Sequence, residues 1–344
     1  MSLPRAFVWG CAQELALSAD EIAFLRRWRP WGMILFRRNV ANRIQLAALT
    51  QAFREAVERP DAPVFVDQEG GRVQRLASPH WMAYPAASAF AGASDNLDEQ
   101  ARLAHLSARL IAHDLREVGI SVDCLPVLDL PAPGSHPVIG SRAYGADPAV
   151  VAKLGRAAAD GLLAGGVLPV IKHMPGHGRA QADSHLELPR VDASLAELEA
   201  RDFASFRANA DLPIGMTAHV VFDAVDPANP GTLSPAVVGE VIRGRIGFDG
   251  LLVSDDLSMK ALSGGFGDRT RRMFAAGVDI ALHCNGDLDE AALVADASPV
   301  LAGRSLARAE AALARIVRPA ADFDPVDARA ELTAAMGGNL AASA

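Results

Sequence analysis

Cysteine is scarce in this chain: the 344 residues include three, Cys11, Cys124 and Cys284. They are odd in number and far apart, with no paired spacing, which excludes a disulfide framework and a zinc or redox motif. The expectation is reduced, mostly buried thiols. Long apolar runs are also missing. No stretch approaches the 18 or more residues of a membrane span. The apolar stretch near the N-terminus is a few residues long before Gln13 and Glu14, too short for the core of a signal peptide. Cys11 has no room before it for the apolar segment of a lipoprotein signal. Clustered Lys/Arg with interleaved aromatics is absent and the formal net charge is −8, which sets aside a nucleic-acid surface. There is no internal repeat and no linker long enough to separate two domains. These absences lead to the expectation of a cytoplasmic monomer with no membrane or nucleic-acid partner.

Apolar residues, by contrast, are plentiful at 50%, enough for a large buried core. They fall in short runs that alternate with longer amphipathic stretches. The runs predict eight strands: Phe7–Gly10, Met33–Phe36, Val64–Val66, Ser121–Leu125, Leu168–Ile171, Ile214–Thr217, Leu251–Val253 and Asp279–His283. Between them, spacings of three and four predict helices over Ser18–Arg29, Arg43–Glu58, Leu97–Val118, Pro148–Ala164, Ser194–Asn209, Ser234–Arg245 and Thr270–Ala276. Ser18 with Glu21, and Ser194 with Glu197, are capping-box signatures. Eight strands trailed by helices fit an α/β fold, a single (β/α)8 TIM-type barrel over residues 1–318. A doubly wound open sheet is the rival. Residues 319–344, rich in Ala, Asp and Gly, are expected as a loosely held C-terminal extension.

Charged groups follow the apolar runs. Asp67, Gln68 and Glu69 come after the third, Lys172 and His173 after the fifth, His219 after the sixth, Ser254, Asp255 and Asp256 after the seventh, and His283 ends the eighth. In a closed parallel barrel those ends meet on the face where barrel enzymes carry their chemistry. Any one of them alone reads as a helix cap or a solvated loop charge; the recurrence on one face does not. The longest polar insertion, Lys172–Pro189, carries His177 between Gly176 and Gly178, then Asp183 and His185. In an extended segment residues i and i+2 share a face. Asp183 is therefore placed to fix one imidazole nitrogen of His185 and leave the other for proton exchange. Asp255 is the candidate nucleophile.

These residues resemble the family 3 glycoside hydrolases, in particular their bacterial single-domain β-N-acetylhexosaminidases. The similarity runs over about residues 10–290. It is carried by Gly32–Asn39, Val66–Leu76, Pro126–Leu130, Ile139–Gly145, the KHMPGHG and DSH motifs within Lys172–His185, Met216–Phe222 and Val253–Met259. The resemblance implies a barrel, a retaining mechanism with a covalent glycosyl-enzyme, and neither metal nor other cofactor. It implies Asp255 as nucleophile rather than Asp256, because other branches of the family keep only the first acid of the pair. It implies His185 as general acid/base with Asp183 as its partner, in place of the second carboxylate usual in retaining enzymes. Asp67, Arg75, Arg142, Lys172 and His173 are implied to hold sugar hydroxyls. The larger family members carry a second α/β domain that this chain lacks. The implied substrates are N-acetylglucosaminyl-1,6-anhydromuramyl fragments of the cell wall, cleaved during recycling. Two rival readings keep the barrel. One is a metal hydrolase using His173, His177, Asp183, His185 and His219; the other is a β-N-acetylglucosaminide phosphorylase that resolves the intermediate with phosphate.

Overall fold

Runs that are apolar without alternation suit strands covered on both faces, and all eight predicted runs are strands in the computed structural model. They are β1 (Arg5–Gly10), β2 (Pro30–Leu35), β3 (Val64–Val66), β4 (Val122–Asp123), β5 (Leu168–Met174), β6 (Ile214–Thr217), β7 (Leu251–Asp256) and β8 (Ile280–His283). The structure describes residues 3–12, 15–184, 186–317 and 323–337. Each strand pairs in parallel with its neighbour in sequence, and β1 meets β8 through Phe7↔Ala281, Val8↔Leu282 and Trp9↔His283. The barrel is closed, which excludes the open-sheet rival.

The period of two along a strand separates two cores. Inside the barrel pack Ala6, Val8, Ile34, Phe65, Val122, Leu168, Val170, Ile214, Met216, Leu251, Val253, Ile280 and Leu282. Their alternates, among them Phe7, Trp9, Met33, Val64, Val66, Ile171 and Leu252, face the helical shell. At about 1.5–3 kcal/mol for each large side chain buried, these layers dominate the stability.

The shell comprises α1 (Ala19–Trp28), α2 (Arg43–Ala56), α3 (Leu97–Glu117), α4 (Pro148–Ala164), a helical run α5 over 195–207, α6 (Val237–Ile246), α7 (Phe266–Ala276) and α8 (Leu288–Ala297). Both capping boxes form: Ser18 accepts from the Glu21 N–H at 3.2 Å and Glu21 accepts from the Ser18 N–H at 2.8 Å, while Ser194 and Glu197 do the same for α5. Helix α6 and the middle of α5 are wound in π geometry, a departure no spacing of apolar residues announces. Helix α8, absent from the sequence expectation, follows β8 as the barrel requires. Two further helices follow: α9 (Gly303–Leu313), whose Ala309 and Ala312 join the core inside the barrel, and α10 (Pro325–Ala335), which packs on α3. Helix α10 corrects the expectation of a loosely held extension over its own length. Leu332 is fully buried, and Arg329 donates to the buried Asp114 of α3 at 2.7 Å. Among the described residues no helix is long and apolar enough to cross a membrane.

Candidate active site

The C-terminal ends of the strands surround a cavity of about 340 Å³. Its lining includes Asp67, Arg75, Arg142, Lys172, His173, Asp183 and Asp255. The barrel thus gathers every described residue that the resemblance assigns to the site, whereas His219 of the metal reading is not in the lining; His185 lies outside the described residues.

Beyond β3 the chain turns at once into a hairpin, Gln68–Gly70 against Val73–Gln74. Gly70 and Gly71 make the turn with φ of 90° and 55°, and a Cβ on Gly70 would lie 2.2 Å from the Pro85 carbonyl oxygen, so only glycine fits. The Gln68 amide braces the hairpin, its oxygen accepting from the N–H groups of Arg75 (2.9 Å) and Leu76 (3.0 Å). Arg75 is thereby turned back on Asp67, donating to Oδ2 at 3.0 Å.

Lys172, at the end of β5, is 2% exposed. Its Nζ donates to Asp67 Oδ1 at 2.9 Å and lies 2.6 Å from Glu69 Oε1. Arg142 grips Glu69 with two parallel bonds of 2.8 Å. The result is a chain of alternating charge: Arg75, Asp67, Lys172, Glu69, Arg142. Burial alone would raise the pKa of both carboxylates. Lys172 and Arg75 overcome it for Asp67, well below the ordinary range; Arg142 and Lys172 overcome it for Glu69, pushed down to about 2. Burial would lower Lys172, and Asp67 and Glu69 reverse that, so the ammonium stays charged well past its usual value. Every member is ionised at neutral pH and aimed at the cavity. Glu69 is a site residue that the resemblance does not assign; its signal in the sequence is its place two residues after Asp67, among the charged groups that follow the third run.

His173 is held by Asp129, from the loop after β4. Its Nδ1 lies 2.7 Å from Asp129 Oδ2. Asp129 is fully buried; burial would raise its pKa, but His173 and His177 bring it below the usual value. An ionised carboxylate only accepts, so Nδ1 carries the proton. Asp129 also accepts from the His177 N–H at 2.7 Å. His177 Nε2 reaches Ser184 Oγ at 3.1 Å, tying the start of the long insertion to the residue beside Asp183. Of the two insertion glycines, Gly176 has φ of 142°. Gly178 permits close packing instead, since a Cβ there would lie 2.1 Å from the Leu130 carbonyl oxygen. The Asp183 carbonyl accepts from the N–H groups of Leu186 (2.9 Å) and Glu187 (3.0 Å). Glu187 is exposed.

The adjacent acids of β7 differ in what they do. Asp256 Oδ1 accepts from the N–H groups of Ser258 (2.9 Å) and Cys284 (3.1 Å), and Oδ2 from Ser258 Oγ at 2.5 Å. Its own N–H donates to Asp255 Oδ1 at 2.8 Å. Asp256 is a bracket between β7 and β8 that also steadies its neighbour. His219 has both ring nitrogens engaged, by Thr232 Oγ1 at 2.7 Å and the Asp256 carbonyl at 2.9 Å, so the metal-ligand role of the rival reading has no open nitrogen there. Within hydrogen-bond reach of the cavity are thus carboxylate, ammonium, guanidinium and imidazole groups, a set suited to a polyhydroxylated ligand and to acid–base chemistry.

The Glycosyl hydrolase family 3 N terminal domain matches residues 14–318. A Beta-hexosaminidase of Alkalilimnicola ehrlichii is 42% identical over 274 residues, covering 78% of each chain. A Beta-hexosaminidase of Neisseria meningitidis serogroup B is 37% identical over 342 residues, 95% of this chain and 93% of that one. Among solved structures, NagZ from Neisseria gonorrhoeae in complex with N-trifluoroacetyl-D-glucosamine superposes with a TM-score of 0.84 at 33% identity, covering 100% of this chain and 99% of that one. With the closed barrel and the charged cavity at its C-terminal face, these likenesses establish that the chain belongs to glycosyl hydrolase family 3 and is a glycoside hydrolase.

Proposed function

We propose that this enzyme is a retaining exo-β-N-acetylglucosaminidase. It removes terminal non-reducing β-linked N-acetylglucosamine from cell-wall muropeptide fragments, N-acetylglucosaminyl-1,6-anhydromuramyl sugars among them. It works as a cytoplasmic monomer, with residues 1–318 as the catalytic unit and 319–344 as an extension. The observation that carries the reading is the pair of acids on β7: both line the cavity that also holds Asp183, and the oxygens of Asp256 are held by Ser258 and Cys284. The glucosamine derivative bound by the gonococcal NagZ supports the sugar class.

A carboxylate oxygen of Asp255 attacks the anomeric carbon as the glycosidic C–O bond breaks. His185, oriented by Asp183, gives its proton to the departing oxygen. A water then adds to the same carbon, its proton passing to His185, and the bond to Asp255 breaks to regenerate the carboxylate. The oxocarbenium-like transition states lie against that anionic carboxylate. Arg75, Asp67, Lys172, Arg142 and His173 hold the sugar hydroxyls.

The test begins with Asp255→Ala, which loses at least about three orders of magnitude in rate, while Asp256→Ala retains far more. A slow 2-fluoro sugar leaves its glycosyl group on Asp255 by peptide mapping; a label on another residue overturns the assignment. His185→Ala slows a disaccharide far more than a nitrophenyl glycoside, whose leaving group needs little protonation. A steeper dependence on leaving-group pKa in Glu187→Gln alone would make Glu187 the acid. Release of sugar 1-phosphate instead of free sugar at millimolar phosphate would make the enzyme the phosphorylase.

A further inference from the structure

His219 follows β6 and lies fully buried, behind the cavity lining rather than in it. The β6–β7 ladder runs through Val253↔Met216, and the β7–β8 register shifts between Val253 and Asp256. The backbone of the two adjacent acids therefore departs from the regular sheet. At that departure the Asp256 carbonyl accepts two hydrogen bonds, from the Met259 N–H at 3.1 Å and from a side chain, His219 Nε2, at 2.9 Å.

The donor pattern behind this contact has one solution. A carbonyl only accepts, so His219 Nε2 carries a proton. Burial lowers the pKa of the imidazole, partly offset by Asp255, and the ring is neutral; Nδ1 accepts. Its partner at 2.7 Å is Thr232 Oγ1, whose single proton points at the ring. Thr217 Oγ1, 2.8 Å from Thr232 Oγ1, donates to it in turn. The longer 3.2 Å approach of Thr232 Oγ1 to the Ala218 carbonyl is left without a proton, because turning the hydroxyl there would set two lone pairs face to face at 2.7 Å. Thr217, Thr232 and His219 thus form a one-way relay of donors ending on Asp256.

We infer that His219 is a positioning residue for the nucleophile: it clamps the Asp256 carbonyl, and the N–H of that same residue holds Asp255 Oδ1 at 2.8 Å. This rests on the reading of Asp255 as nucleophile. The relay fixes where Asp255 stands relative to the anomeric carbon without touching the sugar. It acts on the rate of attack and not on ground-state binding, because near-attack geometry is lost steeply with displacement.

Two amides separate this role from a merely polar or space-filling one. His219→Gln carries its NH2 to about the place of Nε2; His219→Asn stops at about the place of Nδ1 and leaves the Asp256 carbonyl to the Met259 N–H alone. With a nitrophenyl β-N-acetylglucosaminide, His219→Asn should lose roughly 10- to 100-fold in kcat with KM within about threefold of wild type, and His219→Gln should keep at least about a third of kcat. The rate of trapping by the 2-fluoro sugar should follow kcat. Thr232→Val, which keeps shape and removes the relay's middle hydroxyl, should lose about three- to tenfold in kcat. Equal loss in Asn and Gln, a KM that rises with the fall in kcat, or full activity in Asn overturns the proposal. Its premise fails separately, by an active Asp255→Ala or a label elsewhere.

Discussion

Buried carboxylates meet cations at both ends of this barrel, to opposite effect. At the N-terminal end, Asp279 just before β8 accepts four bonds: Arg243 (2.7 Å) and the Leu252 N–H (3.0 Å) on one oxygen, Ser305 (2.6 Å) and Arg308 (3.1 Å) on the other. Arg243 donates further to the carbonyls of Phe248 and Gly250, and Arg308 to the carbonyl and the exposed carboxylate of Asp249. Asp279 itself is buried, with every carboxylate oxygen bonded to protein. At the C-terminal end, the chain from Arg75 to Arg142 is equally well paired but lines a cavity. A buried carboxylate that spends every bond on neighbouring elements holds them together; carboxylates paired at the wall of a cavity present a rigid polar surface to a ligand.

The largest expected effect breaks the N-terminal end. Asp279→Ala strands Arg243 and leaves Arg308 only its exposed partner Asp249, and should cost about 3–5 kcal/mol of stability, as loss of one partner of a buried pair does. Denaturant titration measures it, and kcat per folded molecule should be unchanged. An activity loss at intact stability would erase the distinction between the ends.

Arg75→Ala tests the open end. Asp67 keeps Lys172, so the fold should persist, while kcat/KM falls by about 2–4 kcal/mol of transition-state binding. A melting temperature that collapses with activity would give Arg75 a structural role.

The smallest effect concerns His177, beside the open end. Burial, then the neighbouring His173, pushes its pKa down to about 4. Below about 6.5 the unfolded imidazole takes a proton that the folded one refuses until about pH 4. Its contribution is therefore complete above about pH 6.5 and lost as pH falls towards 4, on the order of 3 kcal/mol. His177→Gln keeps a donor for Ser184 but does not titrate, so stability should fall less steeply over that window. The depressed pKa values of His219 and His283 leave a residual slope. An unchanged slope would mean that His177 is protonated in the folded enzyme.

What the sequence made legible follows from range. Strands buried on both faces are apolar runs, so all eight could be read locally, as could the acids and bases at their ends. Pairings across the barrel could not: nothing local says that Glu69 lies between Lys172 and Arg142, or that Asp129 orients His173. Helix α8 escaped because LDEAALVADA carries apolar residues around much of its circumference, leaving little periodicity to detect. Helix α10 escaped because its polar, alanine-rich sequence resembles a tail until Asp114 and the surface of α3 supply its partners.

The meeting of β1 with β8 has a consequence for synthesis. Chain order equals spatial order everywhere except at this seam, where Trp9 pairs with His283. A chain growing from its N-terminus gains partners for one side of β1 as soon as β2 is made. The other side stays unpaired until nearly the whole barrel has left the ribosome. For most of translation the nascent chain therefore presents an open sheet edge bearing Phe7, Val8 and Trp9, a template for pairing with neighbouring chains. Closure removes that hazard in the final step, so aggregation during expression should respond to elongation speed and chaperone supply more than to the stability of the finished barrel.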